Sequence, residues 1–112
     1  MKKSYLLSTG NDGYRYRYEF EKINSFSKIF TNFMRDLGFD DSDRPFLTMY
    51  EGEDEKEMDI EKTLDFTWNF RNKSFDVDLF IGGKKIILVV RTKDKMRLAD
   101  VAIKHLNFKK EL

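Results

Sequence analysis

Asp76, Val89 and Arg91 come nearest to a hydrolytic constellation in this sequence. Metal-assisted hydrolysis needs carboxylates converging on a divalent cation, with a group nearby to support the attacking water. One acid beside an aliphatic and an arginine cannot supply that. Seven of the 20 acids concentrate in EGEDEKEMDIE, residues 51 to 61, where Glu51, Glu53, Asp54, Glu55, Glu57, Asp59 and Glu61 are opposed only by Lys56. The run lacks the aspartate spacing and central glycine of a calcium-binding hand. It reads as an exposed loop, with a cation loop or a mimic of nucleic-acid phosphates as the sharper alternatives. His105 is the single histidine and cysteine is absent, so a triad or a structural zinc site finds no partners. His105 reads as a solvated or capping residue. No P-loop or dinucleotide fingerprint occurs. The expectation is a non-enzyme with no catalytic residue, metal or cofactor.

Asp76 and Arg91 belong to residues 64 to 92, around which the rest of the chain is organised. In LDFTWNFR, Leu64, Phe66, Trp68 and Phe70 alternate with Asp65, Thr67, Asn69 and Arg71. Phe75, Val77, Leu79 and Ile81 repeat that period of two, and Ile86 to Val90 returns as a nearly continuous apolar strand. Turns at Asn72-Lys73 and Gly82-Gly83 give a three-stranded meander. That register sets Phe66, Leu79 and Ile86 in one row and Trp68, Val77 and Leu88 in the next, with Asp76 opposite Val89. Trp68 is expected to be buried against a helix. A slip of one residue would turn an apolar set towards water.

Before the meander, Ser4 to Thr9 reads as a short strand and Gly10-Asn11-Asp12-Gly13 as a turn. Tyr14 to Phe20 alternates aromatic with charged residues. Interleaved Tyr and Arg could stack bases, but alternation alone accounts for a half-buried strand. Asn24 or Ser25 can cap the following helix. Phe26, Ile29, Phe30, Phe33, Met34 and Leu37 form one helical stripe that Gly38 ends. Phe46 to Tyr50 reads as another strand. Near the C-terminus, Leu98, Val101, Ala102 and Leu106 mark a second helix over about 94 to 107. Between Lys84 and Lys110 nine basic residues meet only Asp94 and Asp100. The whole chain is nonetheless almost balanced, with 21 Lys and Arg against 20 Asp and Glu. Bulk charge therefore selects no partner.

Two families are similar in part. The hairpin 75–92 looks like the strand pair of PD-(D/E)XK nucleases, in which an Asp on one strand faces a Glu-x-Lys on the next. Here Val89 and Arg91 stand at the Glu and Lys positions, so the resemblance implies a related strand pair without the activity. A helix, three antiparallel strands and a C-terminal helix over residues 25 to 106 resemble the double-stranded RNA-binding domain. FDVDLFIGGKKI is similar to that family's middle hairpin, and Leu98, Val101, Ala102 and Leu106 match its helix spacing. That resemblance implies phosphate contacts from the last helix and 2′-hydroxyl contacts from the loop between the first two strands. Only Lys95 agrees with the family's lysine-rich helix start, and the loop is shortened to a tight turn.

At 112 residues the chain should form one α+β domain, residues 1 to 112. Its sheet should be antiparallel with five or six strands, the meander 64–92 at its centre. Two helices, about 25–37 and 94–107, should pack on one face. The absence of a long apolar run gives no signal peptide or membrane span, and a soluble cytoplasmic protein is expected. The function expected is protein binding by an inhibitor, an immunity protein or a viral or phage antagonist. The interface would be the sheet face bearing Asp76, Asp78, Phe80, Lys85, Ile87, Val89 and Arg91, where a second copy of the chain could also dock to form a homodimer. The other reading of that face is that the N-terminal hairpin folds over it. The alternative is nucleic-acid binding through Lys84, Lys93, Lys95, Arg97 and Lys104.

Overall fold

Three antiparallel strands form where the period of two is strongest: β5 (Asp65–Arg71), β6 (Phe75–Gly82) and β7 (Lys85–Thr92). The computed structural model describes residues 3–11, 13–21, 26–39, 48–51, 54–57 and 65–106. Before the meander come β1 (Lys3–Gly10), β2 (Gly13–Glu21), the helix α1 (Phe26–Asp36) and a short hairpin of β3 (Thr48–Glu51) and β4 (Asp54–Glu57). Helix α2 (Lys95–Leu106) follows it. Five strands make one antiparallel sheet in the order β1-β2-β7-β6-β5, and β3 with β4 makes a separate two-stranded one. The class is α+β. The expected sites of helix capping at Asn24 or Ser25 lie outside the described residues.

Both meander turns sit one residue later than the sequence reading placed them. Leu79 pairs with Trp68 and Leu88, Val77 with Phe70 and Val90, and Ile81 with Phe66 and Ile86. The cause is local hydrogen bonding. Asn72 remains paired to Phe75, its N–H donating to the Phe75 carbonyl at 2.9 Å. Its side-chain oxygen accepts from the N–H groups of Ser74 and Phe75, at 2.9 and 2.8 Å. Lys73-Ser74 is therefore the turn, shaped by an Asn that satisfies its own loop. Likewise Gly82 pairs with Lys85, and the second turn is Gly83-Lys84 with Gly83 at φ 58°. Displacing a turn by one residue moves every pairing by two. Each side chain thus keeps its face while its neighbours change.

The apolar face carries the core. Phe75, Val77, Leu79, Ile81, Ile86, Leu88 and Val90 are buried with Tyr18 and Phe20 of β2 and Phe70 of β5. Phe26, Phe30, Phe33, Met34 and Leu37 from the first helical stripe, and Leu98, Val101, Ala102 and Leu106 from the second, belong to the same cluster. Phe20 meets Phe26 at 5.6 Å between centroids and Phe30 meets Phe70 at 5.8 Å, distances typical of packed aromatic pairs. Trp68 departs from expectation. It is 49% exposed, because β5 is an edge strand, and its ring stacks on Phe70 at 6.3 Å.

Helix α1 ends as its glycine predicts. The Phe39 N–H reaches the Met34 carbonyl and the Gly38 N–H the Arg35 carbonyl, at 3.1 and 3.0 Å, with Gly38 at φ 90°. This double bond pattern needs a left-handed residue, which glycine adopts without a Cβ clash. Helix α2 starts on Asp94, whose carboxylate accepts from the Arg97 N–H at 3.1 Å. The two helices are tied through Asp36. His105 Nε2 lies 2.5 Å and Lys104 Nζ 3.4 Å from its carboxylate, and the Arg97 guanidinium donates to its backbone carbonyl at 2.7 Å. His105 is thus a bridge between helices rather than a solvated or capping residue. The hydrogen bond from His105 is the main cause holding the Asp36 carboxyl below its ordinary range. The acidic run 51–61 is also not wholly loop: Asp54 to Glu57 pairs with Thr48 to Glu51.

Candidate interface on the second sheet face

Alternation that sends one set of side chains into the core must send the other set to the opposite face. On that face the strands line up in rows. Arg15, Arg91, Asp76 and Arg71 stand side by side across β2, β7, β6 and β5. The next row is Arg17, Val89, Asp78 and Asn69, and the one after is Glu19, Ile87, Phe80 and Thr67. All seven residues expected on this face are therefore present, with Lys85 beside Glu21 at its end. Their pairings differ from the sequence reading. Asp76 faces Arg91, and Asp78 takes the place opposite Val89.

The N-terminal hairpin does not fold over this face. It continues the sheet laterally, β2 bonding to β7 along eight residue pairs from Tyr14↔Thr92 to Glu21↔Lys85. Residues from β2 and β5 thereby join the face: Arg15, Arg17, Glu19, Asn69 and Arg71. The charged positions of Tyr14 to Phe20 were visible in the sequence, but no short turn joins β2 to β7 to announce their pairing. Phe80 is 37% exposed and Ile87 half-buried. Val89, at 8% exposure, is buried but lies outside the core cluster.

Polar groups around these apolar side chains are paired selectively. Asn69 Nδ2 donates to Asp76 Oδ1 at 2.6 Å and to Asp78 Oδ1 at 2.7 Å, holding two like charges together. The Arg71 guanidinium binds the other oxygen of Asp76 at 3.0 Å. Glu19 is gripped by Lys85 at 3.1 Å and Arg17 at 3.2 Å, and its carboxyl is lowered chiefly by the Lys85 hydrogen bond. Arg17 Nε is buried without a hydrogen-bond partner. Arg15 and Arg91 make no ion pair among the described residues. No group of three or more His, Asp or Glu side chains suited to a metal occurs among the described residues. Beside the first row, at the end of β7, a groove of about 380 Å³ is lined by Arg71, Lys73, Asp76, Arg91, Lys93 and Asp94 among others.

The alternative nucleic-acid set is not one patch. Lys84 lies in the β6–β7 turn, whereas Lys93 and Lys95 lie beyond the far end of β7, roughly 25–30 Å away at the rise of an extended strand. Lys95 Nζ sits 4.9 Å from the Tyr14 ring centroid, and Arg97 and Lys104 are engaged with Asp36. Among the described residues no helix is long and apolar enough to cross a membrane. Comparison with protein-family models, with curated proteins and with solved structures gives no match.

Proposed function

We propose that this chain is a non-enzymatic, cytoplasmic binding protein that engages another protein through its second sheet face, in the manner of an inhibitor, an immunity protein or a phage antagonist. The observation that supports this reading is Phe80, 37% exposed beside Ile87, on a face outside the core cluster and bordered by charged rows. An apolar centre with a polar border is the usual anatomy of a recognition surface. Asn69, Asp76, Asp78 and Arg71 are already bonded to one another, so this border is rigid before any partner arrives.

The test is a photo-crosslinking side chain at position 80 in cells expressing the protein, with position 104 on α2 as control. A single protein captured from position 80 and not from 104 is expected. The purified partner should bind wild type and not Phe80→Ser, whose thermal midpoint should stay within a few degrees of wild type. Capture of the chain itself would identify a homodimer through the same face. Equal capture from both positions, or a Phe80→Ser variant that unfolds, would end this reading.

A further inference from the structure

We infer that the groove at the end of β7 is a binding site for a phosphate group, with Arg91 of its lining as the primary ligand and Arg15, beside it on β2, as the flanking one. Arg15 and Arg91 are directly opposite each other on antiparallel neighbours, which puts their Cβ atoms about 5 Å apart. Like charges in that relation are destabilising unless something lies between them. The residue that would neutralise Arg91 is Asp76, its partner on β6, but both Asp76 oxygens are committed, to Asn69 and to Arg71. Asp94, the other acid of the groove, caps α2 through the Arg97 N–H. The lining holds four cations, Arg71, Lys73, Arg91 and Lys93, against the carboxylates of Asp76 and Asp94, an excess of two positive charges to which Arg15 adds another alongside.

The walls are fixed in advance. The Thr92 hydroxyl donates to the Ser74 carbonyl at 2.8 Å and accepts from the Asp94 N–H at 3.0 Å, and the Asn72 side chain shapes the facing turn. A volume of about 380 Å³ is at the small end of ligand pockets, large enough for a phosphate group with a modest substituent. Guanidinium forks match phosphate oxygens in pairs, and two forks on adjacent strands can hold one group from both sides. The site does not rest on the protein-binding reading, since Phe80 lies two residue rows away from Arg91.

Thermal denaturation and calorimetric titration of the full chain with pyrophosphate, inorganic phosphate and a short single-stranded oligonucleotide test the site. Pyrophosphate should raise the wild-type midpoint, and Arg91→Gln and Arg15→Gln should each weaken it by on the order of tenfold. Without ligand, Arg91→Gln should melt no lower than wild type, because it relieves the facing charge. Binding of the oligonucleotide with the same losses, and not of pyrophosphate, would assign the phosphate to a nucleic acid. Phe80→Ser should leave all of these titrations unchanged. No binding by any probe, equal binding by wild type and Arg91→Gln, or an Arg91→Gln chain that melts well below wild type would overturn the proposal.

Discussion

Asp36 does the work of three contacts. Its carboxylate receives His105 and Lys104 and its carbonyl receives Arg97, so one residue at the end of α1 fastens the length of α2. Its carboxyl is lowered in the folded protein, chiefly by the His105 hydrogen bond. The ionised form therefore contributes stability that is fully present above the unfolded value and lost as pH falls through the lower, folded one. Denaturant titrations of wild type and Asp36→Asn should differ at neutral pH and converge in acid below the range of Asp36. A gap that persists there would show that the carboxylate charge is not what matters. Trp68 is a second residue with a defined expectation. Half-exposed on an edge strand, it should emit at long wavelength and be quenched readily by acrylamide. Trp68→Ala should cost about 1 kcal/mol, against roughly 3–5 kcal/mol for Phe30→Ala in the fully buried cluster. Equal losses for the two would show Trp68 to be core.

At the scale of elements, alternation in the sequence announced which face each strand residue occupies but not which neighbour it meets. Turns at Asn72-Lys73 and at Lys73-Ser74 give the same faces, and only the hydrogen bonds of Asn72 decide between them. Asn72 also donates to the Leu37 carbonyl at 3.1 Å, joining the meander to the end of α1. Asn72→Ala should therefore cost about 1–3 kcal/mol in denaturant unfolding, more than an exposed turn position would. Trp68 was misplaced for a related reason: periodicity gives a face, whereas burial also depends on whether the strand is central or at an edge. The helices were legible because each carries an apolar stripe at helical spacing, and α1 also ends on a recognisable signal, Gly38. The candidate face was legible only in its β6 and β7 half. Its β2 half depends on pairing between segments with no local turn. At that junction Gly13, at φ 102°, leaves no room for a side chain: a Cβ there would stand 2.5 Å from the Thr92 carbonyl oxygen. Gly13→Ala should destabilise by about 2 kcal/mol or more, measured by thermal unfolding.

For the whole molecule, the near-balance of charge conceals a local excess, because the acids and bases of the second face are arranged in rows instead of being dispersed. Among the described residues β1 and β5 are the edge strands of the sheet, with Leu6 and Trp68 each nearly half-exposed. A register break between Leu6 and Ser8 interrupts β1 and makes that edge a poor template for a further strand. The strand order has a consequence in time. β2 is made early in synthesis but finds its central partner only in β7, so Tyr18 must wait for Leu88. The meander can close through two-residue turns within microseconds, whereas joining the N-terminal hairpin to it requires closing a loop that contains most of the chain. On the ribosome the hairpin therefore emerges with one side unsatisfied and stays so until β7 has left the exit tunnel. β7, the last of the described strands, is the one that joins the two halves of the sheet.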